Sequence, residues 1–194
     1  MNKFNSDRGR DKFQKSKWLI DILVTIISLL PKSLRKYLFQ LFNNVKGILG
    51  IGIRYVLIKT IALEVGDNVS IYPGVYLLEI ENLVLGDNVS IHPMCYIDAS
   101  GGIKIGSDVS IAHGSTVLSS THNYEKQSIP IKDQGIKLKK TIIEDNVWIG
   151  SKATILFGIT IGYGSIIGAS TVVTKNVPTN SIMAGIPGKI IKNR

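Results

Sequence analysis

From residue 65 onward an aliphatic side chain recurs at every sixth position, and no other feature of this chain restricts its fold as much. Val65-Gly-Asp-Asn-Val-Ser-Ile71, Leu85-Gly-Asp-Asn-Val-Ser-Ile91 and Ile105-Gly-Ser-Asp-Val-Ser-Ile111 repeat one another at a spacing of 20. Inside each repeat the interval is six: 65, 71, 77, then 85, 91, 97, then 105, 111, 117. A second block keeps it through Ile143, Ile149, Ile155, Ile161, Ile167 and Val173. Four residues after most of these positions stands a small or β-branched residue, such as Val69, Cys95, Ser115, Ala153 or Thr171. Six residues per side and three sides per turn make a triangular coil of about 18 residues, whose aliphatic residues point inward and whose small residues fit the bends. Stacked coils bury one continuous column, which is the physics of a solenoid. The extra residues in the first block, as at Ala99-Ser-Gly-Gly102, are corner loops. The expectation is a mainly β chain with a parallel β-helix of about five triangular coils over residues 61–194, preceded by a helical extension over residues 1–60.

Composition agrees, with 19 glycines, only 7% aromatic residues and abundant Ile and Val. The single cysteine, Cys95, allows no intrachain disulfide and no Cys-based zinc site, which suits a reducing, cytoplasmic setting. It occupies a small-residue slot and reads as a core thiol. The net charge of +9 is confined to one end of the chain. Residues 1–60 hold twelve Lys and Arg against Asp7, Asp11 and Asp21, whereas residues 61–194 hold eleven charges of each sign. A basic groove spread over the fold is disfavoured, and no nucleic-acid partner is expected.

The extension begins with a polar, basic stretch to Lys17, expected to be mobile or weakly helical. In Trp18–Leu30 the polar residues Asp21, Thr25 and Ser28 fall on one narrow helical stripe, leaving a broad apolar face. Thirteen helical residues span about 20 Å, short of the roughly 30 Å hydrocarbon core of a bilayer. Asp21 and the lack of a small-residue cleavage site argue against a signal peptide. A second helix is predicted from near Ser33, with Leu34, Leu38, Leu41, Phe42 and Val45 on one face and an end at Gly47 or Gly50. Two readings stay open for these helices. They lie on the inner face of a membrane, cations toward anionic headgroups, or they pack on the coils or on another subunit.

The six-residue interval fails once, between Val117 and Ile143, so about 20 residues are extruded, roughly 123–140. Long excursions of this kind are functional or disordered. His122 lies at the root of the excursion beside rigid coils, where a catalytic group is best held. An imidazole titrates near neutrality and can take the proton of an attacking hydroxyl. His113 occupies the slot of Pro73 and Pro93 and reads as a corner residue, while His92, directly after Ile91, faces outward or into a cleft. Asp98 could orient His122 or hold a substrate hydroxyl. A phosphate-binding Gly-x-x-x-x-Gly-Lys loop, a Cys-x-x-Cys pair and a Gly-x-Ser-x-Gly elbow are all missing from the sequence.

Three segments carry a resemblance beyond the repeat itself: Ser119-Ser-Thr-His-Asn123, Asn146-Val-Trp-Ile-Gly-Ser151, and Ile167-Gly-Ala-Ser-Thr-Val-Val-Thr-Lys175 followed by Ala184-Gly-Ile-Pro-Gly-Lys-Ile-Ile-Lys192. With them, residues 61–194 resemble the hexapeptide-repeat acyltransferases, which are left-handed parallel β-helices. The likeness is greatest to sugar O-acetyltransferases of the maltose and galactoside type and to those of capsule and exopolysaccharide synthesis. The resemblance implies a homotrimer, acetyl-CoA bound between neighbouring subunits, and no metal. It implies His122 as general base, and the Ser151 N–H as a donor to the tetrahedral oxyanion. It also places Trp148 in the acetyl and pantetheine groove opposite a neighbour's His122. Ala169, Thr174, Lys175, Lys189 and Lys192 would hold pantetheine and the phosphorylated adenosine. At about the position of His92 the family carries an asparagine that contacts the acceptor, so this departure bears on which acceptor is used. The expectation is acetyl transfer to a saccharide hydroxyl in surface-polysaccharide synthesis. An antibiotic or amino-sugar acceptor and a non-catalytic scaffold are the alternatives, and a zinc enzyme of the carbonic-anhydrase type lacks its histidine pattern here.

Overall fold

The computed structural model describes residues 9–194. The inward aliphatic residues do what their spacing predicts: Ile71, Ile91, Ile97, Ile105, Ile111, Ile143, Ile149, Ile155, Ile161, Ile167 and Val173 are all completely buried. Short strands stack in parallel into three faces. The first comprises Glu64–Val65, Leu83–Leu85, Ile103–Ile105, Thr141–Ile143 and Thr160–Ile161. The second runs from Ser70–Ile71 through Ser90–Ile91, Ser110–Ile111, Trp148–Ile149 and Ile166–Ile167 to Ser181–Ala184. The third comprises Tyr76–Leu78, Tyr96–Asp98, Thr116–Leu118, Thr154–Ile155 and Val172–Val173. Register follows the repeat, with Ile71 beside Ile91, Ile91 beside Ile111 and Ile111 beside Ile149. This is the expected mainly β, parallel β-helix, with five complete coils and a sixth begun.

The bends that leave the first and second faces each place one residue in the left-handed region, three positions after the aliphatic residue. Asn68, Asn88, Asp108 and Asn146 supply it between the first and second faces, all with φ of 56–58°. Asparagine and aspartate tolerate that region better than other side chains. Between the second and third faces the residue is Gly74, Met94, Gly114, Lys152 or Ser170. The next residue turns its small side chain into the core, so Cys95, Ser115, Ala153 and Thr171 are buried.

Three helices precede the coils: α1 (Gly9–Ser28), α2 (Lys32–Leu41) and α3 (Gly47–Ile61). The first differs from expectation, since residues 9–17 are regular helix; the remainder of that expected mobile stretch, residues 1–8, lies outside the described residues. In α2 the buried residue is Phe39, flanked by partly buried Leu38 and Phe42, while Leu34, Tyr37 and Leu41 are exposed. The inward face is therefore rotated from the predicted one. Gly47 and Gly50, read as a stop, belong to α3 instead. That helix is apolar nearly all round and so shows no amphipathic period. Gly50 is required there by close approach: a Cβ would stand 2.0 Å from the Val45 carbonyl oxygen.

Helix α3 closes the open end of the first coil with Tyr55, Leu57, Ile58 and Ile61, which join the same apolar cluster as the coil interior. At the other end, Lys189–Asn193 folds back antiparallel on Ser181–Ala184. Arg54 locks α3 in place. It is fully buried, and its Nε donates to the Ile71 carbonyl at 2.8 Å. Its Nη1 donates to the carbonyls of Phe42, Asn43 and Val45, at 3.0, 3.1 and 2.8 Å, just past the end of α2. One guanidinium thus ties α2, α3 and the first coil together. Replacing it removes the donors to four carbonyl groups at once. Arg54→Ala is expected to destabilise the protein by about 3–5 kcal/mol in urea unfolding; a loss below about 1 kcal/mol would show that water takes over those carbonyls.

Candidate functional site

The extruded segment leaves the body at the edge between the third and first faces. It is an ordered hairpin, in contrast to the irregular loop expected. Ser120–His122 pairs antiparallel with Ile136–Leu138, placing His122 opposite Ile136. Asn123 donates to the Gly135 and Gln134 carbonyls, and the Gln134 side chain bridges Lys126 and Ile129. At the root, Lys139 N–H donates to the Ser119 carbonyl at 3.0 Å, and the buried Thr141 hydroxyl donates to the Leu118 carbonyl at 2.6 Å. Gly101 allows this closeness, since a Cβ there would lie 2.2 Å from the Ser119 carbonyl oxygen.

His122 itself is exposed. Among the described residues its imidazole has no hydrogen-bond or ionic partner, so it faces the surroundings with both nitrogens available. Asp98 does not touch it. Asp98 is buried at the end of a third-face strand, where one carboxylate oxygen accepts from the Ser100 N–H and hydroxyl and the other from the Ser120 hydroxyl. Burial alone would raise its pKa, but the hydrogen bonds from Ser100 and Ser120 outweigh it and hold the carboxyl below its ordinary value. Asp98 therefore pins the strand two residues before His122. Sequence reasoning missed both partners: Ser120 because nothing in the sequence pairs residues 22 apart, and Ser100 although it stands two residues after Asp98, the spacing of a local side-chain turn.

The remaining sequence-predicted residues stand elsewhere on the prism. His92, at the edge between the second and third faces, stacks on Tyr72 with ring centroids 4.8 Å apart and planes 7° from parallel. Burial, and then the neighbouring His113, lower its pKa. Ser151 and Ala169 lie on this same edge, in line with Pro73, Pro93 and His113. Ser151 accepts at its carbonyl from Ser170 N–H at 2.8 Å, while its own N–H meets no acceptor among the described residues. Trp148 projects from the second face, between Ser110 and Ile166, and is 54% exposed. Thr174 and Lys175 are exposed on the edge that bears His122, two coils beyond the hairpin, and Lys189 and Lys192 are exposed on the terminal strand. Within one chain, then, the structure gathers His122, Ser120 and Asp98 on one edge and Ser151, Ala169 and His92 on another. Among the described residues no three His, Cys, Asp or Glu side chains cluster to hold a metal ion.

Residues 140–175 match the family described as the hexapeptide repeat of succinyl-transferase. The chain is 35% identical over 147 residues to the galactoside O-acetyltransferase of Escherichia coli (strain K12), covering 72% of this chain and 68% of that protein. It is 38% identical over 65 residues, 34% of this chain and 33% of the relative, to a putative lipopolysaccharide biosynthesis O-acetyl transferase of the same strain. Two further curated acetyltransferases match more locally, and the chain covers only 24% and 30% of their lengths. Among solved structures, a galactoside acetyltransferase in complex with coenzyme A superposes with a TM-score of 0.74 at 31% identity, over 84% of this chain and 80% of that one.

Because the Asp98 carboxyl is held below its ordinary value, it contributes stability above the unfolded value near 3.8, and this is lost as pH falls through the lower folded value. Asp98→Ala is expected to remove that support at neutral pH. Hydrogen exchange at the amides of residues 119–123 should speed by about tenfold while the coil amides stay protected; unchanged exchange at the hairpin root would rule out the pinning role.

Proposed function

Because this chain belongs to the hexapeptide-repeat, left-handed β-helix acetyltransferases, we propose that it transfers the acetyl group of acetyl-CoA to a hydroxyl of a saccharide. The observation that carries this reading is His122, presented at the root of an ordered hairpin with its imidazole free. As the acceptor oxygen attacks the thioester carbonyl, His122 takes the hydroxyl proton. The tetrahedral oxyanion is met by the unengaged Ser151 N–H, then the C–S bond breaks and the proton passes to the departing thiolate. Trp148 offers an exposed flat surface beside the Ser151 edge for the pantetheine arm. Lys175, Lys189 and Lys192, all exposed, suit the phosphates as mobile point charges. Ala169 and Thr174 supply the walls of the same groove.

His122 and Ser151 stand on different edges of one prism, so the reading requires two copies of the chain at each site. A homotrimer about an axis along the coils supplies this, setting one subunit's His122 against the next subunit's Trp148 and Ser151. Similarity to the lipopolysaccharide O-acetyl transferase supports a surface-polysaccharide acceptor. His92, stacked on Tyr72, and the hairpin are the parts that would meet it, with Asp98 acting through the hairpin.

The test is thiol release from acetyl-CoA across free sugars, nucleotide-sugars and polysaccharide fragments. His122→Ala should slow transfer by about 10²–10⁴-fold while CoA binding and the trimer mass by light scattering stay as in the parent. Thiol release with none of the acceptors, or full activity in His122→Ala, would reject the reading.

A further inference from the structure

Helix α1 is apolar on two sides. Phe13, Ile20 and Ile27 turn toward the body, Phe13 meeting Tyr55 edge-on at 5.3 Å between centroids. The opposite side carries Trp18, Leu19, Ile22, Leu23 and Ile26, which are 67, 46, 47, 41 and 54% exposed, and Leu29, 82% exposed, follows in the turn after the helix. At 100° per residue the five helical residues fall within one sector of about 140°. Nothing in the described chain covers that sector. Its direction is fixed, because α1 is held to the coils at two points: Lys17 pairs with Asp67 in the first coil and Arg10 with Asp108 in the third. Seven helical residues advance about 10 Å, matching two coil spacings. The first half of α1 thus runs along one edge of the prism, and Trp18–Leu29 reaches past its closed end.

Cations border the uncovered apolar residues. Lys32 follows directly after Leu29, Leu30 and Pro31, and Lys46 directly precedes Gly47, Ile48 and Leu49, the last two being 78 and 69% exposed. Both lysines are exposed and form no hydrogen bond or ion pair among the described residues. The whole chain carries +9, all of it contributed by residues 1–60. A second copy of this surface would bring like charge against like. An anionic lipid surface offers the complement, headgroups for the lysines and an acyl boundary for the Trp18–Leu29 face. Among the described residues no helix is long and apolar enough to cross a membrane. We infer that the outward face of α1, with Lys32 just beyond it and Lys46 beside the exposed Ile48 and Leu49, docks this protein in the plane of an anionic phospholipid surface.

The experiment is flotation of the full chain with vesicles of phosphatidylcholine alone and of phosphatidylcholine with phosphatidylglycerol. The parent should float with the anionic vesicles and detach as salt is raised. Ile22→Glu with Ile26→Glu should lower the bound fraction at least about tenfold. Thr25→Gln, on the polar stripe, should leave it unchanged. Circular dichroism of all variants should match the parent, since none of these side chains enters the core. Failure of the parent to float with anionic vesicles overturns the inference, as does parent-like flotation of the double variant. A drop in the double variant's mass by light scattering also overturns it, because the face would then join two copies. These readouts do not depend on which acceptor the enzyme acetylates.

Discussion

Each coil of this molecule is made stable by the next. A strand of two or three residues has no fold of its own, and a single triangular turn exposes its aliphatic residues above and below. Stacked in register, the amide of one coil donates to the carbonyl of the next, as from Ser70 to Val89, from Ser90 to Val109 and from Ser110 to Val147. The same stacking sets aliphatic on aliphatic along three columns, so a slip of one residue would expose an entire column at once. The rest of the architecture follows from protecting this register. The two ends must be closed, which α3 does below and the Ser181–Ala184 and Lys189–Asn193 pair does above. Extra residues can enter only at corners, where no column is interrupted, and the hairpin does so with its root returned to the lattice through Lys139 and Thr141.

The interior was legible in the sequence because it is periodic. Any residue that obeyed the interval of six proved buried or nearly so, and Cys95 lies where its small-residue slot put it. The left-handed position could be read there too, as Asn, Asp or Gly three residues after most aliphatic ones on the first two faces, though Met94, Lys152 and Ser170 break the pattern and hide it. What stayed hidden is whatever lacks a period. Helix α3 is apolar all round, and its glycines mimic a helix stop. The face of α2 was misjudged because Leu34 and Leu41 read as inward, whereas Phe39 is the residue that is buried. His122 could be found from the break in the interval. Asp98 was named as a group that could orient it, but the link through Ser120 was not, since those two residues meet only through the stacking of coils.

Charge illustrates how composition misleads until it is placed. Much of the N-terminal surplus is used close to home. Lys17, Lys36 and Arg10 pair with Asp67, Glu81 and Asp108, while Arg35 and Lys59 donate to the carbonyls of Thr60 and Val65. Exposed pairs of this kind contribute little stability individually, and for α1 they add to the apolar contacts of Phe13, Ile20 and Ile27 with the body. Arg54 goes further, with its charge buried among backbone carbonyls at the junction of two helices and a coil. Much of the basic character of the described extension therefore reflects its attachment to the coils, while Lys32 and Lys46 are exposed beside apolar residues and available to an outside partner.

A prism with three edges also limits how such a chain can build an active site. Its faces are flat and rigid, and its edges are the places where side chains and free backbone N–H groups can be offered to a ligand. Residues on different edges point away from each other, so no rearrangement of side chains brings His122 to the Ser151 N–H within one subunit. Placing two prisms edge to edge does it without moving either backbone. On the proposed reading, His122 as base and Ser151 as oxyanion donor are then each held by their own lattice, one by the Asp98–Ser120 contact and the other by the stacked corner beneath Gly150. In that arrangement the hairpin can change its length and tip to suit a different acceptor, while the donor side, built wholly from regular coils, stays the same.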